Sequence, residues 1–373
     1  MHVVVGVVSL VGLAVLLAEF FTVFLLPRRV RRDPAIARGI LRMLWVPWRA
    51  AAGLLPRAAA DTTLGIFGPL GLLAILGMLS AGVILCFSGL HWAVSTHLSS
   101  SHPADFGDDL YFSAGAFTSA TNPSTPTGGV GKTMQIVEAA TGLGLLAIAI
   151  GYLPALFQAF SRRETAVARL DPRAGSPPSP GRLLERSGQR GGWADLDEYL
   201  LEWETWTADL METHLAYPIL GYFRSQHLNQ NWLAGLTTIV DASAYALAYG
   251  SDSHTEAAEL TFRIGSHALG DLAHTFSTRR LEHDPEPRSR ERLSRDDVVE
   301  LRARLEGSGL HSEVEEGACA QRLEELRASY EPYAIAIARH LALELPDWLP
   351  KGEARDTWPT AEHPIRPTTR STP

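Results

Sequence analysis

Residues 105–138 hold four carboxylates, Asp105, Asp108, Asp109 and Glu138, against one basic residue, Lys132. Between them lies the run Thr118-Ser119-Ala120-Thr121-Asn122-Pro123. Hydroxyls and backbone carbonyls in a tight turn suit the coordination and passage of a cation, and carboxylates just upstream raise the local cation concentration. Covalent chemistry has no comparable support, because no phosphate loop, Cys-x-x-Cys, His-Glu-x-x-His or Gly-x-Ser-x-Gly occurs. An enzyme is therefore not expected, nor any cofactor beyond a permeant monovalent cation, K+ or Na+. Thr118, Ser119, Ala120, Thr121 and Asn122 are the candidate lining of the path, and Asp105, Asp108 and Asp109 its candidate outer mouth.

Such residues need elements that place them in a bilayer. Three stretches, 3–26, 64–90 and 133–160, stay apolar over the about 20 residues that a membrane-spanning helix requires. Residues 105–117 are too few to span, and their acids stand where a helix N-terminus favours negative charge, so the negative C-terminal end faces whatever follows Phe117. The order is spanning helix, half-length helix, tight loop, spanning helix, which is the frame of a re-entrant pore loop. Residues 27–60 carry eight arginines against the single acid Asp33, whereas 91–131 carry three acids and no Lys or Arg. The positive-inside bias then puts the N-terminus outside and everything after Arg162 in the cytoplasm. Residues 1–26 lack a basic n-region and read as an anchor, not a secretory signal.

Within the last span Glu138 is an acid at membrane depth, which either faces the bundle interior or snorkels to the interface. Gly142, Gly144, Gly151 and Pro154 are places where that helix can bend at a gate, or where it packs closely without moving. Gly68, Gly71, Gly77, Ser80 and Gly82 favour close helix packing in the second span. Residues 35–48 form a basic, Trp-bearing amphipathic stretch suited to the cytoplasmic interface. Glu19 receives no role.

The rest of the chain is polar. Residues 1–169 hold 12 of the 33 basic and 8 of the 41 acidic residues, which leaves a net charge of −12 beyond them and argues against nucleic-acid binding. Proline, glycine and serine make 171–192 a linker by composition. Helical spacing then recurs in 193–210 (Trp193, Leu196, Leu200, Trp203, Trp206, Leu210), 232–249, 257–276, 298–305 and 318–345. A charged connector, 277–297, interrupts these helices, and the tail from Lys351 reads as disordered. His214, His227 and His254 lack metal-ligand spacing and read as structural or surface residues; the Trp stripe reads as core. Cys86 and Cys319 lie in different segments, so no disulfide is expected.

A resemblance covers roughly residues 10–180. Its motifs are Leu26-Pro27-Arg28-Arg29-Val30, Leu90-His91-Trp92-Ala93, Tyr111-Phe112-Ser113, and the run from Gly142 through Gly151-Tyr152-Leu153-Pro154 to Ser161-Arg162-Arg163-Glu164. Tyr217-Pro218, Arg224-Ser225-Gln226-His227 and Asn231-Trp232-Leu233 extend it. These resemble the bacterial potassium channel family of the two-transmembrane, one-pore-loop type. The resemblance implies a homotetramer in a bacterial inner membrane, with potassium as the ion. It sets Thr118 at the filter threonine, Ala120 and Asn122 at the two glycines and Pro123 at the usual acid. Alanine at a left-handed position costs about 1–2 kcal/mol and proline lacks an N–H, so a standard potassium filter does not fit. Thr127-Gly128-Gly129-Val130-Gly131 also spells Thr-x-Gly-x-Gly, but demands a pore helix running through Pro123 and Pro126.

The expected fold is all-α, an integral membrane protein with three transmembrane helices, a re-entrant pore helix and a cytoplasmic helical domain. Its parts are 1–60 (first span and interfacial helix), 61–165 (pore domain), 166–192 (linker), 193–350 (helical domain) and 351–373 (tail). Two functions stay open: a cation channel with an altered filter, or a non-conducting descendant that anchors the helical domain as a sensor or scaffold. Partners are the lipid bilayer and further copies of the chain.

Overall fold

The structure is a computed structural model that describes residues 1–25, 35–96, 105–120, 125–226, 229–250, 255–276, 292–312 and 316–349. Thr121, Asn122, Pro123, His227, His254, most of the charged connector and the tail from Lys351 lie outside the described residues. The described chain is all-helical, with eleven α-helices and one 3-10 turn. It divides into two compact units, 1–158 and 159–373.

The first unit holds α1 (His2–Phe24), α2 (Ala35–Ala52), α3 (Arg57–Val94), α4 (Phe106–Phe117) and the first 30 residues of α5 (Gly129–Ala174). Helices α1, α3 and α5 are each long and apolar enough to cross a membrane. α1 and α3 pack through small residues. A Cβ on Gly89 would stand 2.1 Å from Ser9 Oγ, and one on Gly12 would meet Cys86 Sγ at 3.0 Å. Each glycine gives its side-chain space to a side chain of the facing helix, which is one way helices pack closely in lipid. Gly82 takes part, with Leu16 at 2.9 Å, while Gly77 faces nothing within 4 Å.

α2 departs from the sequence reading in where its tryptophans go. Trp45 is buried with its ring 4.7 Å from that of Phe67, and Trp48 Nε1 donates to the Thr63 carbonyl at 3.0 Å, so both face α3. The exposed apolar residues of α2 are Met43 and Val46 instead. Glu19, to which the sequence gave no role, accepts from the Ala37 backbone N–H at 2.9 Å. An acid thereby satisfies one of the free N–H groups in the first turn of α2.

The second unit contains the remainder of α5, then α6 (Pro180–Gly191), α7 (Trp193–Ala216), a 3-10 turn (Pro218–Tyr222), α8 (Trp232–Tyr249), α9 (Glu256–Thr275), α10 (Arg295–Ser308) and α11 (Glu316–Leu341). α8 is buried on nearly every side, and α6, α7, α9 and α11 pack around it. A helix covered on every side belongs at a core, and the polar groups it carries there need partners. Its start is fixed by Asn231, whose Oδ1 accepts from Ala234 N at 2.7 Å. Asp241 on α8 accepts from Tyr330 of α11 and from Arg292, which also bonds Glu331 at 3.2 Å. That network joins three segments far apart in sequence.

The expected linker is corrected here. α5 continues to Ala174, and α6 occupies 180–191 with Leu183, Leu184 and Ser187 buried. Pro180 stands in the first turn of α6, where its missing N–H costs nothing. Composition signalled breaks, and the breaks lie between ordered helices.

Candidate functional site

The site is built around α4. Asp105 Oδ1 accepts from Asp108 N at 2.9 Å and Asp108 Oδ2 accepts from Asp105 N at 3.1 Å, a reciprocal capping box that satisfies two free donors of the helix. Two of the three expected mouth acids therefore also begin the helix. Asp109 is not at an open mouth: it is buried, on the same face as Phe112, Ser113 and Ala116, while Tyr111 is 65% exposed. The spacing 109, 112, 113, 116 is the inward stripe of a helix.

Both ends of α4 are seated. Near its start the Phe106 ring lies 6.3 Å from Trp92, close to the C-terminal end of α3, and Phe112 packs edge-on to His91 at 5.1 Å. At its end a Cβ on Gly142 would fall 2.0 Å from the Phe117 carbonyl oxygen. Gly142 stands 13 residues into α5, about 20 Å along that helix at 1.5 Å per residue. Gly142 is thus the seat of the α4 terminus, whereas Gly144 and Gly151 have nothing within 4 Å and Pro154 is exposed on α5.

The described part of the expected filter closes α4 instead of extending away from it. Thr118 Oγ1 donates to the Ala114 carbonyl at 2.7 Å, and Ala120 N donates to Gly115 O at 2.9 Å. The left-handed residue is Ser119, with φ 56°, not Ala120. This is the ordinary way a helix C-terminus turns, and it satisfies carbonyls that would otherwise be free. Thr118, Ser119 and Ala120 are all exposed. Gly129 and Gly131 lie in the first turn of α5, which removes the alternative Thr127–Gly131 register.

Behind α4 lies a group of buried polar side chains. Glu138 is fully buried, as is His91, and their nearest atoms are 3.5 Å apart. His91 Nδ1 is in hydrogen-bond contact with Thr96 Oγ1 at 3.0 Å, which orients the ring toward Glu138. Ser113 is a neighbour of the Glu138 carboxylate. By strict hydrogen-bond geometry His91 Nε2, both Glu138 oxygens, Ser113 Oγ and Asp109 Oδ1 find no partner, although His91 and Ser113 stand close enough to the Glu138 carboxylate to interact with it. Glu138 therefore faces the interior and does not snorkel. His91, quoted in sequence only as part of a motif, is the residue that reasoning missed; its signal was a lone histidine closing an apolar span.

In the second unit, Arg163 is buried and donates to Leu220 O and Phe223 O, both at 2.9 Å, and to Glu164 Oε1 at 3.0 Å. His214 Nδ1 bonds the Leu210 carbonyl at 2.9 Å, so Nε2 is left to accept from Arg163 at 3.3 Å. Burial and the adjacent guanidinium push the His214 pKa down to about 3, keeping it neutral. As read from sequence, it is structural.

No family model matches the chain, and no solved structure matches it. Among curated proteins it is similar to the uncharacterized membrane protein YdjJ of Bacillus subtilis (strain 168), at 24% identity over 202 residues. That match covers 53% of this chain and 57% of the relative, so the chain spans little more than half of the protein it matches. A membrane protein with candidate spanning helices is the level at which comparison and structure agree.

Proposed function

We propose that the chain is the subunit of a pore-loop channel for monovalent cations, with α4 as a re-entrant pore helix. The observation that carries this reading is the seating of α4. The helix begins beside the end of α3 and ends against Gly142, well inside the apolar part of α5. A 12-residue helix ending at that depth points its negative C-terminus, and the oxygens around Thr118, into the membrane interior. Such an end stabilises a cation and repels an anion. One unit encloses no pore, so copies assemble around an axis, taken as four from the family resemblance. The positive-inside bias puts the α4 N-terminus outside, where Asp105 and Asp108 attract cations, and the acidic second unit in the cytoplasm. Without filter glycines the path admits K+ and Na+ with little discrimination.

Potassium efflux from proteoliposomes tests this. A cysteine-free background carrying Ala120→Cys is treated from outside with a cationic, membrane-impermeant thiol reagent. The channel reading expects efflux that the reagent blocks and that Thr118→Ala alters. No efflux from folded protein supports the alternative, a membrane-anchored helical scaffold.

A further inference from the structure

Helix α2 lies where two candidate spans end. Glu19, five residues before α1 stops, holds its first turn, and Trp45 and Trp48 hold its middle against Phe67 and Thr63, where the apolar stretch of α3 begins. In a bilayer that level is the headgroup layer. With Ala37, Ile40, Trp45 and Ala52 buried, helical spacing sets Arg42, Met43, Val46 and Arg49 on the opposite face, where all four are exposed, Met43 by 60% and Val46 by 61%. Leu54, just past the helix end, is 87% exposed. Water suits these apolar side chains poorly and hydrocarbon suits arginine poorly, whereas a headgroup layer suits both, because a guanidinium reaches phosphate while its neighbours dip toward the acyl chains. Charge then selects the lipid. The acids between Met1 and Asp105 are Glu19, Asp33 and Asp61, so matching each with one arginine still leaves five of the eight arginines of 27–60 over. A zwitterionic headgroup brings no net charge to meet them; an anionic one does.

We infer that the outer face of α2 is a binding surface for anionic phospholipid, with Arg42 and Arg49 on the phosphate-bearing headgroup and Met43 and Val46 among the upper acyl chains. The planar fork of arginine matches two phosphate oxygens at once, which a lysine does not. The surface therefore concentrates anionic lipid beside the ends of α1 and α3.

Fluorescence quenching by lipid tests this on the full chain. A bimane label on Val46→Cys, with Cys86 and Cys319 replaced, is followed in vesicles of mixed phosphatidylcholine and phosphatidylglycerol in which one lipid or the other carries brominated acyl chains. The expected result is stronger quenching by the brominated phosphatidylglycerol at equal mole fraction, a local preference on the order of fivefold that high salt lowers. Arg42→Gln with Arg49→Gln removes the preference, and lysine at both positions keeps most of it. A label on Leu73→Cys, at a site 63% exposed within the apolar stretch of α3, is expected to see both lipids equally in every background, so misfolding and lost lipid contact are told apart. Equal quenching by the two lipids at Val46 overturns the inference, as does a preference that survives the double substitution. Quenching by neither lipid also overturns it, since the face then lies in water or under protein, such as the acidic second unit. The measurement reads no ion flux, so it stands or falls apart from the channel proposal.

Discussion

Gly142 and Gly144 stand two positions apart on α5 and differ in what a methyl group would meet: the Phe117 carbonyl at 2.0 Å in one case, nothing within 4 Å in the other. Gly142→Ala must push α4 off its seat, whereas Gly144→Ala only removes a glycine from a helix. Thermal melting of the purified protein is expected to fall for the first and to hold or rise for the second, because alanine favours a helix by about 1 kcal/mol over glycine. If α5 instead bends at Gly144, the second variant changes opening and the first is no worse. The sequence offers both glycines without ranking them, since the difference lies in a neighbour 25 residues upstream. Glu138 was legible as an acid in an apolar run; its partner His91 was not, because a histidine at a span end has many uses. In the second unit His214 sets a pH dependence. Its folded pKa of about 3 lies below the ordinary 6.5, so the unfolded chain binds a proton that the folded chain refuses between those values. Its stabilising contribution is therefore complete above about pH 6.5 and declines as the pH falls toward 3, with a slope of at most about 1.4 kcal/mol per pH unit. Denaturant titrations at several pH values are expected to show a shallower acid decline for His214→Gln; identical slopes contradict the neutral, buried assignment.

At the scale of elements, α4 owes its start to Asp105, and charge and capping are separable there. Asparagine caps as well as aspartate, whereas alanine loses about 0.5–2 kcal/mol. Asp105→Asn is expected to keep the melting temperature and lower cation conductance, while Asp105→Ala lowers both. An Asp105→Asn variant that melts early shows that its charge, not its hydrogen bond, holds the helix. The spans and the half-length helix were readable because apolar length and N-terminal acids are local properties. The ordering of 171–192 was not, because the burial of Leu183 and Leu184 depends on helices that come later in the chain. The tryptophans of α2 follow the same rule: their amphipathic spacing was visible, but Phe67 and Thr63, which they face, lie on the next helix.

The whole molecule combines an apolar unit of candidate spans with an acidic helical unit, and α5 belongs to both. Its charge asymmetry, eight arginines in 27–60 and a net −12 beyond residue 169, was fully legible and gives the orientation proposed for the membrane. In the channel proposed here, ion choice would depend on copies around an axis and on residues 121–124, which lie outside the described residues, so it has to be measured. The most direct measurement is the reversal potential of single-channel currents from the purified protein in a planar bilayer under a potassium/sodium gradient with chloride held equal. A re-entrant α4 with no filter glycines predicts a cation current with a reversal potential close to zero for a K+/Na+ exchange, shifted by Thr118→Ala. Silence from folded, assembled protein at every pH and voltage tried, or a current carried by chloride, contradicts it.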